Sequence, residues 1–348
     1  MQMQVLVPGH ARVTARARHL AYRALRFEDV EAGLQLADLG ASGVQLLVDA
    51  FPTQRQAAAT MLYGVLKEME RAEALGSLRD LRIDASSFRP LLADQQAIVR
   101  TTAVTVLGCT GDLRWALTLG RVLGEDSDPF VRGAAVDALA RLGSPDVLSE
   151  LVAIAEDARG AARYDAIRAI GRLGADGCSH LVAVALEHHD ETARRVAAEA
   201  LARFADAELW QALLARFVVA GAEVRRTLVE GFGRSRAGRA AIALVRALNG
   251  DKSAMVREAA ADALPLLREP RVIGALMDSA LYDSYTESGP AEGQSGSPAV
   301  RYPVREAAAE ALLILGGTEA IEALKHLPSL VSMTSDAPDE CADPGEPT

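Results

Sequence analysis

The sequence predicts an all-α fold, a continuous solenoid of stacked helix pairs. Three observations predict it. The middle of the 348-residue chain repeats itself with a step of 31–32 residues. Within each step the apolar residues recur at spacings of three and seven, which lie on one face of a helix. Each step also holds a second apolar-periodic segment, separated from the first by a short break containing Gly or Pro.

The repeat is clearest in a column of arginines: Arg100, Arg132, Arg163, Arg194, Arg225, Arg257 and Arg305, at steps of 32, 31, 31, 31, 32 and 48. Three residues after each stands Ala103, Ala135, Ala166, Ala197, Leu228, Ala260 or Ala308, and seven after it Leu107, Leu139, Ile170, Leu201, Phe232, Leu264 or Leu312. A small column beside a large apolar one lets neighbouring helices approach and interlock. The second segments include PDVLSELVAIAED and PRVIGALMDSALYD. At breaks such as Leu142-Gly143-Ser144-Pro145 and Leu173-Gly174-Ala175-Asp176-Gly177, Gly supplies a positive φ after a helix and Pro suits a first turn. Asp128, Asp190 and Asp251 precede first helices and are expected to cap them.

Two weaker cycles come earlier. Arg55, Ala58 and Leu62 fit the columns, as do Arg18, Ala21 and Leu25, at irregular steps of 45 and 37. Residues 1–93 are therefore expected to be degenerate helical repeats or a cap, because one face of a terminal repeat meets solvent. Residues 94–327 form the regular solenoid. The long last step carries about 16 surplus residues in DSYTESGPAEGQSGSPAV, a Gly-, Ser- and Pro-rich insertion at 283–300 expected to be a flexible loop. Tyr282, Tyr285 and Tyr302 flank it and either anchor a partner or pin its ends. Residues 328–348 mix Pro, Gly, Ser and acids, too polar to bury a core, and are expected to be a disordered acidic tail.

The pattern D-x-x-x-V-R-x-x-A-x-x-A-L-x-x-L-G, best matched by Asp128 to Gly143, resembles the HEAT repeat. The period near 31 is similar to the short bacterial form also found in phycobilisome-lyase-like proteins. The resemblance covers residues 94–327. It implies a right-handed α-α superhelical solenoid of HEAT repeats, with the second helices on its concave side. It also implies that the arginine column pairs with acids and carbonyls of neighbouring repeats. Its motif residues build a scaffold and carry no chemistry of their own.

Composition narrows the function. The net charge is −10 and aromatics make up 4%, which disfavours a basic groove with stacking platforms for nucleic acid. The five arginines of residues 1–30 stand against two acids, and read as a solvated helix face. Three cysteines provide no disulfide framework, and no apolar run reaches 18 residues, so no membrane span is expected. A secretory leader is not seen, and the expected location is the bacterial cytoplasm. The Glu187-His188-His189-Asp190-Glu191 cluster prompts comparison with deoxyhypusine hydroxylases, whose HEAT-like repeats bind iron through His-Glu dipeptides. This chain has no such dipeptide. Neither a metal site nor a cofactor is expected. Trp115 and Trp210 fall at apolar positions and read as core, not as the concave tryptophans of a HEAT-like DNA glycosylase.

What remains is a surface. The outward positions of the second helices form one column of Arg121, Ala153, Ala183, Ala215, Arg246 and Asp278, and a neighbouring one of Thr118, Glu150, His180, Ala212, Ala243 and Ala275. The Ala-rich trough suits a peptide or partner helix. The expected function is a non-catalytic protein-interaction scaffold or adaptor, with Arg114, Arg121, Glu150, His180, Arg246, Asp278 and Tyr285 as partner-binding residues. The alternative is an accessory similar to the phycobilin lyases, which bind a tetrapyrrole; a HEAT-like DNA-binding or repair protein ranks below it.

Overall fold

The computed structural model describes residues 15–158, 160–288 and 300–325; the acidic tail, the first 14 residues and the middle of the insertion lie outside the described residues. The chain is an all-α repeat protein. Four helices come first: α1 (Ala15–Phe27), α2 (Val30–Ala37), α3 (Ala41–Ala50) and α4 (Arg55–Arg71). Next come two 3₁₀ turns, Leu75–Asp80 and Arg89–Ala93, around the one-turn α5 (Ala85–Phe88). Helix pairs follow: α6 (Ala97–Cys109) with α7 (Ala116–Glu125), α8 (Pro129–Leu142) with α9 (Pro145–Asp157), and α10 (Ala161–Arg172) with α11 (Ala175–Glu187). They continue as α12 (Glu191–Phe204) with α13 (Ala207–Val219), α14 (Ala222–Arg234) with α15 (Ala240–Gly250), α16 (Ala254–Ala263) with α17 (Ile273–Tyr282), and α18 (Pro303–Leu315) with α19 (Gly317–Lys325). The chain divides into two compact units, Met1–Gly177 and Cys178–Thr348.

In the first unit α4, α6, α8 and α10 stack in order, with α7 and α9 beside them as a second layer. In the second unit α12, α14, α16 and α18 stack, with α15, α17 and α19 alongside. The small and large columns of the sequence form the cores of these stacks: every one of their residues from Ala103 to Leu312 is 2% exposed or less. Burying each large side chain contributes about 2 kcal/mol. The earlier cycles fare unequally. Ala58 and Leu62 are fully buried on α4, but Leu25 on α1 is only half-buried, and α2 rather than the Arg18-bearing α1 packs mainly against α4.

The breaks between paired helices work locally. Gly143 ends α8 at φ 44°, and Ser144 accepts the Val147 N–H before Pro145 opens α9. Asp128 caps α8 through the Phe130 and Val131 N–H groups, and Asp190 caps α12 through Thr192 and Ala193. Asp251 does not cap α16. It lies six residues before its arginine rather than four, so Ser253 takes the cap position and Asp251 is free for another bond.

That bond belongs to a ladder. The Arg225 guanidinium meets Asp251 with Nε–Oδ2 and Nη2–Oδ1 both at 2.7 Å. Arg100 meets Asp126 and Arg257 meets Asp283 through the same two edges. The third nitrogen, Nη1, turns back to the carbonyls preceding its own helix, as in Arg132 to Asp126 O and Ser127 O. Each complete rung thus ties a first helix to the turn after its second helix.

Close approach sets a second periodicity. The residue eight after the ladder arginine is Gly108, Ala140, Gly171, Ala202, Gly233, Pro265 and finally Leu313. A Cβ at Gly233 would lie 2.6 Å from Ala263 Cβ, and one at Gly108 would overlap Ala138. Leu313 is 61% exposed.

The insertion at 283–300 is not free from its first residue. Asp283 is a ladder residue, and its carbonyl accepts Arg305 Nε at 2.6 Å. Glu287 and Ser288 pair antiparallel with Arg301 and Val300, the two short strands β1 (Glu287–Ser288) and β2 (Val300–Arg301). The expectation of a loose excursion beginning at 283 is corrected accordingly: backbone pairing and the ladder bind both ends, and residues 289–299 lie outside the described residues.

Candidate functional site

The second-helix surface is the first place to look. Arg121, Ala153, Ala183, Ala215, Arg246 and Asp278 are exposed at every position. The neighbouring column is graded: His180 and Ala212 are exposed, Thr118, Glu150 and Ala275 are half-buried, and Ala243 is buried. Glu150 lies across Gly120 of α7, where a Cβ would come within 2.8 Å of its Cγ, so its stem is part of inter-helix packing.

The other candidates are tied locally. Arg114 is 90% exposed in its side chain and forks onto Asp112, which caps the turn opening α7. Tyr285 donates its hydroxyl to Glu287 Oε1 at 3.1 Å and its N–H to Asp283, so it braces the loop base. Tyr302 stacks on the Arg305 guanidinium at 4.4 Å. Arg114, Arg121 and Glu150 belong to the first unit; His180, Arg246, Asp278 and Tyr285 belong to the second.

Two concavities accompany these residues. In the second unit Asp278 and Tyr282 line an open depression of about 470 Å³ with Asn249, Asp251, Arg257 and Asp283. Asp251, Arg257 and Asp283 there are already paired in the ladder, and Asp278 stands outside it. In the first unit a cleft of about 280 Å³ opens on the first-helix side, lined by Tyr63, Lys67, Thr101, Thr105, Phe130 and Arg172 among others. Its basic groups face acids: Lys67 and Arg141 meet Glu70, Arg168 meets Asp165, and Arg172 meets Asp137. Sequence reading passed over this cleft. The available signal was Thr105, a buried threonine at the position that carries Asp137, Arg168 or Glu199 in later repeats, with the buried Thr101 one turn before it.

Two cysteines and two histidines among the described residues sit in local packing. Cys109 and Cys178 are buried, and burial pushes each thiol up to about 11. His188 stacks on His189 at 4.4 Å and its Nδ1 accepts the Asp190 N–H. Among the described residues no group of three or more His, Cys, Asp and Glu is placed to hold a metal ion, and no helix is long and apolar enough to cross a membrane. Trp115 and Trp210 are buried, the latter edge-on to Phe232 and under Arg239.

Stacked helix pairs, columns of small and large residues and an Arg–Asp ladder define an α-α repeat protein. Residues 85–163 match HEAT repeats and residues 304–327 match the PBS lyase HEAT-like repeat. These two stretches carry HEAT-type repeats. No curated protein matches it. Similar solved structures include human deoxyhypusine hydroxylase in complex with glycerol, 23% identical, covering 83% of this chain and 96% of that one, TM-score 0.29. An engineered protein is 19% identical over 90% of this chain and 92% of that one, TM-score 0.36. The CpcE–CpcF complex of phycocyanin lyase from Nostoc sp. PCC7120 is 17% identical over 79% of this chain and 97% of that one, TM-score 0.28.

Proposed function

We propose that the chain is a non-catalytic scaffold that binds a protein partner along its second-helix face. The exposed second-helix positions within each unit carry this reading, Arg121 and Ala153 in the first and Ala183, Ala215, Arg246 and Asp278 in the second. Alanine there offers a surface that a helix or extended peptide can approach closely, with little side-chain entropy to lose. Arg121, Arg246 and Asp278 supply mixed charges at its rim, and Arg114, Glu150 and His180 flank it. Tyr285, at the braced base of the insertion, is a second contact point. In this reading residues 1–93 cap the array, and the buried free thiols suit a reducing, cytoplasmic setting.

Affinity capture from native lysate tests it, with the Arg121→Glu/Arg246→Glu variant in parallel. A stoichiometric protein held by the native chain and lost by the folded variant supports the scaffold. Recovery of a pigment or nucleic acid without protein overturns it. The match of residues 304–327 to the PBS lyase HEAT-like repeat favours a second reading, a tetrapyrrole-handling accessory. A new visible absorption band on mixing with a free bilin would support that one.

A further inference from the structure

The cleft of the first unit runs across α4, α6, α8 and α10, and short side chains open it. One and five residues after the ladder arginine, α6 carries Thr101 and Thr105, and α8 carries Gly133 and Asp137. In the second unit the same positions hold Arg195, Glu199, Arg226 and Glu230, and both of these arginines meet Glu230. Threonine and glycine in place of such long side chains leave a space of about 280 Å³. A Cβ added at Gly133 would meet nothing within 4 Å.

The chain has a net charge of −10, yet this cleft carries an excess of positive charge. Lys67 and Arg141 share the single carboxylate of Glu70. Arg132 and Arg168 share that of Asp165, at 2.9 and 2.7 Å. Arg172 meets Asp137. Five cations therefore stand against three carboxylates, an excess of two. All of these cations except Arg132 line the cleft. Asp137 and Asp165, the carboxylates that line it, are both held by arginines. Two cations on one carboxylate leave N–H groups over, because a guanidinium has five donors and an ammonium three.

The floor supplies a second observation. Thr101 is only 4% exposed and lines the cleft. The Thr105 hydroxyl donates to the Thr101 carbonyl at 2.8 Å, but the Thr101 hydroxyl has no hydrogen-bond partner among the described residues. Among those residues the Nε of Arg194 is the one fully enclosed side-chain polar atom without a partner. The Thr101 hydroxyl is therefore not enclosed, and the open space beside it is the cleft. A nearly buried hydroxyl left unbonded costs free energy that an incoming acceptor would recover. One wall is apolar: Pro129 and Phe130 open α8, and the Phe130 ring is 77% exposed.

We propose that this cleft binds a small phosphate monoester whose organic part is an aromatic ring. Such an ester carries close to two negative charges at neutral pH, which matches the excess of two cations. Its oxygens accept from the Thr101 hydroxyl on the floor and from the Lys67, Arg168 and Arg172 groups at the rim. Its ring packs against Phe130. The space suits one phosphate and one ring, and lies at the small end of ligand pockets. The cleft is on the first-helix face, so the proposal goes beyond the scaffold reading, and either can fail without the other.

The test uses the full-length chain and phenyl phosphate, followed by titration calorimetry and by the amide chemical shifts of Thr101 and Gly133. Benzoate and inorganic phosphate are the controls. Phenyl phosphate is expected to bind with a Kd below about 1 mM, and at least about tenfold more tightly than either control. Thr101→Val has no internal hydrogen bond to lose, so it should melt at least as high as the native chain and bind about tenfold more weakly. Lys67→Gln leaves Glu70 with Arg141, and Arg168→Gln leaves Asp165 with Arg132, so both should fold and bind several-fold more weakly. Gly133→Leu fills open space on a helix, so it should fold and abolish binding. A weaker Kd for the native chain, or undiminished binding by Gly133→Leu, by Thr101→Val or by both charge variants, overturns the proposal. A lower melting temperature for Thr101→Val overturns the assignment of a free hydroxyl. Equal binding of inorganic phosphate overturns the ring, and equal binding of benzoate overturns the dianion.

Discussion

Arg225 and Asp251 are 26 residues apart and share two parallel hydrogen bonds of 2.7 Å, with side chains only 13% and 6% exposed. The bond closes a full helix pair onto itself. Removing one partner strands the other away from water. Asp251→Ala should therefore lower unfolding free energy by about 3 kcal/mol. Urea denaturation of the intact chain measures this, and a loss below about 1 kcal/mol would show the rung to be dispensable.

The ladder makes the fold acid-sensitive in a defined window. Burial works to raise the Asp251 carboxyl, but the Arg225 and Ser253 hydrogen bonds and the nearby guanidinium charges outweigh it and hold it below the usual carboxylate range. Asp126 and Asp283 are lowered for the same reasons. A depressed folded-state value stabilises fully above the unfolded value near about 4 and is lost as pH falls through the folded value. Melting temperature should stay level down to about pH 4.5 on this account, then fall, and the fall should shrink in an Asp126→Asn/Asp251→Asn variant.

Asp262 has the opposite sign. Burial first, then the charges of Glu310 and Glu230, raise its carboxyl. Its ionised form opposes folding above the raised value, and the opposition is relieved as pH falls through it. Asp262→Asn should melt higher than the native chain at pH 7, with the difference vanishing toward about pH 4. A melting temperature at pH 7 equal to or below the native one would count against this.

Helix glycines should divide by what faces them. A Cβ at Gly233 presses on Ala263, so Gly233→Ala should destabilise by about 1–3 kcal/mol through overpacking. Gly64 on α4 faces open space, so Gly64→Ala should stabilise by up to about 1 kcal/mol through helix propensity alone. Thermal melts of the two variants give the comparison directly.

Replacing residues 289–299 by Asn-Gly should leave the melting temperature within about 2 °C, because a two-residue turn can close the Ser288–Val300 pair. Removing 284–301 should cost more, since it takes the strand pairing and the Tyr285 and Glu287 contacts with it. Equal losses would mean that 289–299 itself is packed.

The helix pairs and their core columns were legible because a repeat presents the same evidence many times: Ala103 and Leu107 alone mean little, and seven such pairs fix a face. The N-terminal helices were less legible because there α2 and α3 lack the arginine marker. The caps showed the limit of local reading. Asp128 and Asp251 look alike in sequence, and two residues of offset send one to a helix end and the other to an arginine across the repeat. The first-unit cleft left only the faint trace of its threonines, and the unpaired Nε of Arg194 was beyond reach, since it depends on which side chain fails to meet another in space.

Leu313 shows what the small residues of its column do. Where Gly108 and Gly233 let the backbone of the next first helix come into contact, α18 carries a bulky side chain that is 61% exposed. A helix approaching that face as closely as α8 approaches Gly108 would first have to displace this leucine, so one side chain per repeat sets the spacing of the layer that follows.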